Sequence, residues 1–255
     1  MSISKVGEPQ NIMVKKKKKI SKKAPVEEEL TFGQLLSKGW EIYKNNFKIF
    51  LLIILVIYVP INLILNLLPE SIEPTFESIR LEVYVSQILE LILGIIATLA
   101  IAYAVNKIIN KKTPQVWESI KNALLVWDKA ILTTFLAGII LIGLFLLLII
   151  PGIIYSVYYT FFLYAIVLKD VKFKGALDFS KQLVMGRWWR VFGIAIFVSI
   201  IISIFAGFAV IPFEYSNNYL INVAGDTLFD IIFALRDIVM VVFFLNLCNV
   251  KKPTF

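Results

Sequence analysis

The chain has 255 residues, of which 59% are hydrophobic and 17% charged, with a net charge of +8 and a mean hydropathy of +0.81. These values exclude the ordinary soluble globular classes and indicate a protein that lies in lipid. The sequence has no histidine and a single cysteine, Cys248, so we expect no cofactor, no metal and no catalytic site.

Residues 1–30 differ in composition from the rest of the chain. Seven lysines lie between positions 15 and 23, and three glutamates follow at 27–29. Such a segment cannot bury enough apolar surface to order itself, so we predict a disordered cytoplasmic tail, with a second short tail at 251–255. Lysines next to a membrane are attracted to anionic headgroups. Nucleic-acid binding is the alternative interpretation, and we favour the membrane.

Six apolar runs of the remaining membrane domain, 31–250, predict membrane-spanning helices, because about 20 apolar residues cross the hydrocarbon layer. The runs are continuously apolar rather than alternating, which favours helices over a β-barrel. The sequence thus predicts an all-α polytopic helical bundle with six spans, at residues 47–68, 88–109, 130–150, 153–168, 191–211 and 228–248.

The third and fourth spans are separated by Pro151 and Gly152 alone. Proline lacks the N–H group that a continuing helix needs, and glycine accepts a positive φ, so this pair permits a tight reversal. We predict a helical hairpin here. Because the fourth span is short, a re-entrant second arm is the alternative.

The basic residues indicate the orientation of the chain. With six spans, 24 of the 26 lysines and arginines fall in the two termini and in the loops after spans two and four. Basic residues in short loops stay in the cytoplasm. Both termini are therefore predicted to be cytoplasmic in a multi-pass protein of the cell membrane, whereas five or seven spans would place one basic cluster outside.

Three segments before spans one, three and five have the pattern of amphipathic helices, and we expect them to lie in the cytoplasmic interface. They cover residues 32–46, 116–128 and 175–190. This layout has two interpretations. It is either a threefold repeat of one interfacial helix and two spans, or a set of anchors such as hairpin proteins generally place on the side that carries their basic residues. Tryptophans are the expected headgroup-level anchors, and those in or beside these segments are Trp40, Trp117, Trp127, Trp188 and Trp189.

Four stretches resemble the membrane domain that precedes some glycerophosphoryl diester phosphodiesterases, and related stand-alone prokaryotic membrane proteins. They are LLSKGWEIYKNNF at 35–47, LIIPGII at 148–154, ALDFS at 176–180 and GRWWRVF at 186–192. The resemblance covers about residues 31–250 and implies a six-helix membrane module. It does not imply phosphodiester hydrolysis, which in that family belongs to a separate histidine-containing barrel. Where relatives often place an arginine after Pro-Gly-Ile, this chain has Tyr155, Tyr158 and Tyr159.

Ionisable residues within a span are costly unless they are paired or hydrated, so each is a candidate for function. We expect Arg236 to pair with Glu90, because a helix places Arg236 about 100° away from Asp237. Such charges either fix the helix register or form a proton- or solute-responsive site, and we favour the first. The buried polar candidates are Asn62, Asn66, Glu90, Asp230, Arg236 and Asp237.

These features predict a non-enzymatic integral membrane protein that organises lipid or protein partners. Anionic lipids of the inner leaflet are the first expected partner, and a membrane protein or a second copy is a further one. We expect no nucleic-acid partner. The alternative is a small permease or lipid-handling transporter that uses the charges of spans two and six, and an intramembrane hydrolase ranks third.

Overall fold

The computed structural model describes residues 28–67, 76–214, 216 and 218–250, and within these residues the chain is helical and has no β-strand. One π-helical turn, Glu90–Gly94, interrupts a continuous helix between α3 and α4. The α-helices are α1 (Phe32–Asn45), α2 (Phe47–Asn66), α3 (Phe76–Leu89), α4 (Ile95–Ile109), α5 (Val116–Leu147), α6 (Ile149–Tyr158), α7 (Phe162–Lys169), α8 (Phe173–Val184), α9 (Trp188–Glu214) and α10 (Tyr219–Val250).

Five stretches of the described helices are long and apolar enough to cross a membrane. The all-α class is therefore confirmed, and the first five of the six predicted spans correspond to these stretches. The sixth predicted span, 228–248, lies within α10 and is not among the five. The five are Phe47–Asn66, Val83–Ile109, Val116–Leu147, Ile149–Lys169 and Trp188–Phe213.

Helix α10 lies at the centre of the bundle and contacts α1, α2, α4 and α9. Its second half is buried almost without interruption, and Val239, Phe243, Phe244 and Leu247 are fully inaccessible. The Phe161 ring packs edge-on against Phe243, with 5.5 Å between the ring centroids. The core of the described molecule is thus built around α10.

Helix α1 runs alongside α10 in the opposite direction. The Leu30 backbone N–H donates to the Asn246 side-chain oxygen at 3.0 Å, and the Tyr43 hydroxyl donates to the Ile231 carbonyl at 2.8 Å. Burial raises the pKa of Tyr43 to about 12, so this hydroxyl remains a donor at neutral pH. The buried face of α1, which includes Gly39, therefore packs against protein, where we expected it to face the lipid interface.

The predicted N-terminal tail overlaps this ordered region. Glu29 and Leu30 were assigned to the tail, yet Glu29 forms ion pairs with Arg187 and Arg190, and Leu30 contacts Arg190 as well. Residues 1–27 of the predicted tail and the C-terminal tail at 251–255 lie outside the described residues. Glu29 and Leu30, which the prediction placed in the tail, thus contact α9 and α10.

The second amphipathic segment is the first part of α5 and is not a helix that lies across the end of the span. Helix α5 continues without a break from Val116 to Leu147. Its first turns are held against α4, because Lys107 donates to Glu118 at 2.6 Å and the Tyr103 hydroxyl donates to the same carboxylate at 3.0 Å.

The hairpin between spans three and four turns three residues before the predicted position. Leu148 is extended (φ −157°, ψ 133°) and separates α5 from α6, while Pro151 and Gly152 lie in the first turn of α6. Proline is accepted there because the first N–H groups of a helix have no intrahelical partner. The predicted hairpin is present, and its turning residue is Leu148.

The fourth predicted span is broken between α6 and α7. Ser180 of α8 lies at the break, where its hydroxyl donates to the Tyr158 carbonyl at 2.6 Å and accepts from the Phe161 N–H at 3.0 Å. Two backbone groups freed by the break are thus satisfied by one buried side chain. Helix α8, the third amphipathic segment, packs against α5, α6 and α7 through its apolar face.

Candidate functional site

Polar side chains line the contacts of α10 with α2, α4 and α9, and we call this set the polar seam. Tyr58, Asn62 and Asn66 follow a four-residue spacing and therefore share one face of α2. The other members come from the π-helical turn, α4, α9 and α10. They are Glu90, Thr98, Ser199, Asp226, Thr227, Asp230, Arg236 and Asp237.

The two asparagines of α2 bind aspartates of α10. The Asn62 amide donates to Asp230 at 2.8 Å and is 3.2 Å from the Thr227 hydroxyl, and the Asn66 amide donates to Asp226 at 2.7 Å. Only 5% of Asn62 is exposed. From the sequence, we expected these amides either to line an outer cavity or to satisfy backbone groups freed by Pro60, and favoured the second. The Asn66 amide donates to the Asn62 carbonyl at 2.9 Å, whereas the carbonyl that Pro60 frees is that of Val56. Both amides join α2 to α10.

Glu90 begins the π-helical turn and lies against α2. Its carboxylate accepts a hydrogen bond from the Tyr58 hydroxyl at 3.1 Å. It also folds over Gly94, since a Cβ atom at that position would lie 2.5 Å from the Glu90 carboxylate. A π-helical turn displaces backbone carbonyls from the regular pattern, and the Ile92 carbonyl accepts a hydrogen bond from the Trp127 indole at 2.6 Å.

Arg236 and Asp237 form an ion pair with each other, at 2.9 Å between Nη1 and Oδ1. The predicted pair between Arg236 and Glu90 is therefore wrong. The 100° between neighbouring side chains separates their Cβ atoms, but the long arginine side chain crosses that gap. Thr98 donates to Asp237 at 3.2 Å, and the Arg236 Nε donates to Ser199 at 3.2 Å, so this pair connects α4, α10 and α9.

The polar seam has more acidic than basic residues. It contains four carboxylates and one guanidinium, and the partners given above for Glu90, Asp226 and Asp230 are neutral hydroxyl and amide groups. A cavity of about 210 Å³ adjoins the end of the seam at Asn66 and Asp226. Among the described residues, no group of three or more metal-binding side chains is arranged to hold an ion, and each buried side-chain nitrogen or oxygen has a hydrogen-bond partner.

The structure brings most of the predicted candidates together, although not in the predicted pairs. Asn62 contacts Asp230, and Arg236 contacts Asp237, while Glu90 has a different partner from the one expected. Five members of the seam were not among the predicted candidates: Tyr58, Thr98, Ser199, Asp226 and Thr227. The four-residue spacing from Tyr58 to Asn66 is the signal that would have identified Tyr58.

The predicted anchor tryptophans occupy two kinds of position. Trp40, Trp117 and Trp189 are exposed. The indole N–H of Trp127 donates to Ile92, as above, and that of Trp188 donates to the Ile154 carbonyl at 3.1 Å. Trp127 and Trp188 therefore also connect helices of the bundle.

Residues 84–247 match the model of a protein family described as Domain of unknown function (DUF7847). The chain belongs to this family. The matched range includes Glu90, Asp230, Arg236 and Asp237 and ends before the last residues of α10. The seam residues of α2 lie outside this range. No curated protein and no solved structure matches the chain.

Proposed function

We propose that this chain is a six-span protein of the cell membrane that organises anionic lipid or partner proteins at the cytoplasmic face, with both termini in the cytoplasm and without an enzymatic centre. In this proposal α10 is the sixth span. Its central position among helices that are themselves long enough to cross a membrane supports this. The likeness to the membrane domain of glycerophosphoryl diester phosphodiesterases is part of the same proposal.

The observation that carries the proposal is the inverse relation between apolarity and burial. Measured over an 18-residue window of each stretch, the three most apolar stretches (mean hydropathy 2.6 to 2.9) are 17% to 33% buried, and the two least apolar (1.6 and 2.4) are 39% and 56% buried. In water, the most apolar helix would be the most buried one. In a bilayer, apolar surface faces lipid without cost, and polar groups need protein partners. The described helices follow the second pattern.

The organising role is supported by how the charges of the spans are used. Arg236 and Asp237 bind each other as well as residues of neighbouring helices, and Asn62 binds Asp230, so these groups hold the helices in register. The basic residues that are predicted to face the inner leaflet attract anionic headgroups over a Debye length, about 10 Å at 0.1 M salt.

Energy transfer from tryptophan to labelled lipid tests this role. The chain has five tryptophans, and in phosphatidylcholine vesicles we expect them to transfer more energy to dansyl-phosphatidylglycerol than to dansyl-phosphatidylcholine. The difference should fall at 1 M salt, where the Debye length is about 3 Å. Replacing the seven lysines of residues 15–23 by glutamine should lower it as well. Equal transfer to both lipids at low salt would contradict the proposed role.

A small permease is the second candidate, and the acidic seam with a cavity at Asp226 is the observation that favours it. A transporter needs water to reach the middle of the seam. With Cys248 replaced by alanine, Thr98→Cys should resist a water-soluble thiol reagent, while Asp226→Cys, at an exposed position, should react as the positive control. Reaction of Thr98→Cys from the outer side would favour the permease over the organiser.

A further inference from the structure

A groove of about 670 Å³ lies between the start of α1 and the first turns of α9. Phe32, Trp189, Gly193 and Phe197 line its apolar part, and Glu29 and Arg190 lie along its polar part. We call it the α1–α9 groove. Its volume is within the range of about 300 to 1,000 Å³ that is usual for small-ligand sites.

The groove opens on α9, which contains the most apolar of the five stretches that could cross a membrane. Trp189 and Phe197 are 78% and 60% exposed, and α9 continues outward with exposed Phe205 and Phe208. If α9 crosses the membrane as proposed, the medium that fills such a groove consists of acyl chains, because water is excluded from the hydrocarbon region. The apolar part of the groove therefore fits a hydrocarbon chain.

The charges at the polar part of the groove sum to one excess positive charge when Arg187, which contacts Glu29 but is not itself a lining residue, is counted. Glu29 is paired with both Arg187 and Arg190, so two guanidinium groups face one carboxylate. Arg190 also donates to the Leu30 carbonyl at 2.6 Å. A guanidinium has five N–H donors in a planar array that suits phosphate, and the two contacts named for Arg190 engage two of its five.

We propose that the α1–α9 groove binds an anionic glycerophospholipid, with one acyl chain along Gly193 and Phe197 and the headgroup phosphate at Arg187 and Arg190. This inference rests on the proposed membrane function and names one lipid-binding site within it. The excess charge favours an anionic lipid, because a zwitterionic headgroup brings its own cation to the two arginines. The predicted orientation places this end of α9 at the inner leaflet, where anionic lipids are enriched.

Gly193 offers a position from which a side chain can enter the groove. A Cβ atom added at Gly193 meets no protein atom within 4 Å, and the same holds for Gly207, which lies on the same helix outside the groove. Gly193→Leu therefore occupies the space assigned to the acyl chain. Gly207→Leu adds the same side chain to α9 and is the matched control.

The test is native mass spectrometry of the full chain in mild detergent with phosphatidylglycerol or phosphatidylcholine. We expect one phosphatidylglycerol to remain bound to the unmodified chain and to Gly207→Leu, and about tenfold less on Gly193→Leu. Arg187→Gln should lower the preference for phosphatidylglycerol over phosphatidylcholine. An unchanged thermal unfolding midpoint of Gly193→Leu shows that the variant is folded.

Three results would overturn the proposal. Equal retention of lipid by Gly193→Leu and Gly207→Leu would show that the groove is not the site. Equal retention of both lipids by the unmodified chain would remove the headgroup assignment. A changed oligomeric state of Gly193→Leu without loss of lipid would assign the groove to a second copy. If preferential energy transfer to phosphatidylglycerol in vesicles persists in any of these cases, the groove proposal has failed and the organising function has not.

Discussion

Helices α9 and α10 lie side by side. Helix α9 is the more apolar of the two and the more exposed, whereas α10 carries more charge and is the more buried. Helix α9 is almost purely apolar, and Phe197, Phe205 and Phe208 on it are 60%, 69% and 71% exposed. Helix α10 carries three charged residues in its middle, yet Phe243 and Phe244 on it are fully buried. Where the solvent is lipid, the apolar content of a helix does not determine its burial. Its polar groups determine it, because they need protein partners. The charged residues of α10 thus mark the centre of the bundle.

The largest effect should come from breaking the ion pair of α10. Asp237→Ala leaves the Arg236 charge uncompensated within the bundle, and we expect a loss of about 3 kcal/mol in the free energy of unfolding. Unfolding in detergent titrated with sodium dodecyl sulfate measures it. The double variant Arg236→Leu/Asp237→Leu should recover at least half of the loss. If its effect equals the sum of the effects of Arg236→Leu and Asp237→Leu, each made alone, Arg236 and Asp237 do not interact.

The next largest effect on the free energy of unfolding is expected at Phe243 of α10, and we compare it with Phe205 of α9. Phe243→Ala opens a cavity, and we expect a loss of about 2 to 3 kcal/mol, less than the about 3 to 5 kcal/mol typical of water-soluble cores because lipid is as apolar as the side chain. Phe205→Ala on the exposed face of α9 should change the same unfolding free energy by less than about 0.5 kcal/mol. Equal losses for the two variants would remove the distinction between the helices.

Close packing of α1 against α10 predicts a smaller effect. A Cβ atom at Gly39 would lie 2.4 Å from a Val239 methyl group and 3.3 Å from its Cα. Gly39→Ala should therefore cost about 1 to 3 kcal/mol. Gly33→Ala on the same helix meets no atom within 4 Å and should be neutral or stabilising by up to about 1 kcal/mol. A neutral Gly39→Ala in the same unfolding assay would mean that α1 does not pack against α10 as described.

The smallest predicted effect concerns the hydrogen bond at the π-helical turn. Tyr58→Phe removes the donor to Glu90, and side-chain hydrogen bonds between membrane helices contribute about 0.6 kcal/mol on average. Tyr84→Phe alters an exposed tyrosine and is the matched control. Indistinguishable unfolding free energies for the two variants would show that Tyr58 does not stabilise the seam.

The sequence was sufficient for features that follow from composition and period. The helical class, five helices long and apolar enough to cross a membrane, and the helix break near Pro151 need only the apolar runs and a helix breaker. The position of its turn was missed because proline is accepted both after a helix and in the first turn of the next one, so Pro151 alone does not locate the extended residue.

Contacts between helices required the structure. The amphipathic pattern of α1 shows which face is apolar, but not whether lipid or α10 covers that face. The prediction that Arg236 pairs with another helix used only the 100° between neighbouring side chains. It did not take into account the length of the arginine side chain. Ser180 was identifiable only as a polar residue on an amphipathic helix, since its role depends on the break between α6 and α7.

The most direct test of the six-span bundle is sidedness of labelling with a membrane-impermeant maleimide. Leu220→Cys at the start of α10 and Lys174→Cys in α8 are both exposed positions, and each is made in a chain with Cys248→Ala. We predict that Leu220→Cys reacts in intact cells and that Lys174→Cys reacts only after the membrane is permeabilised. Reaction of both variants from the same side would contradict a membrane-spanning α9 and with it the central position of α10 in a six-span bundle.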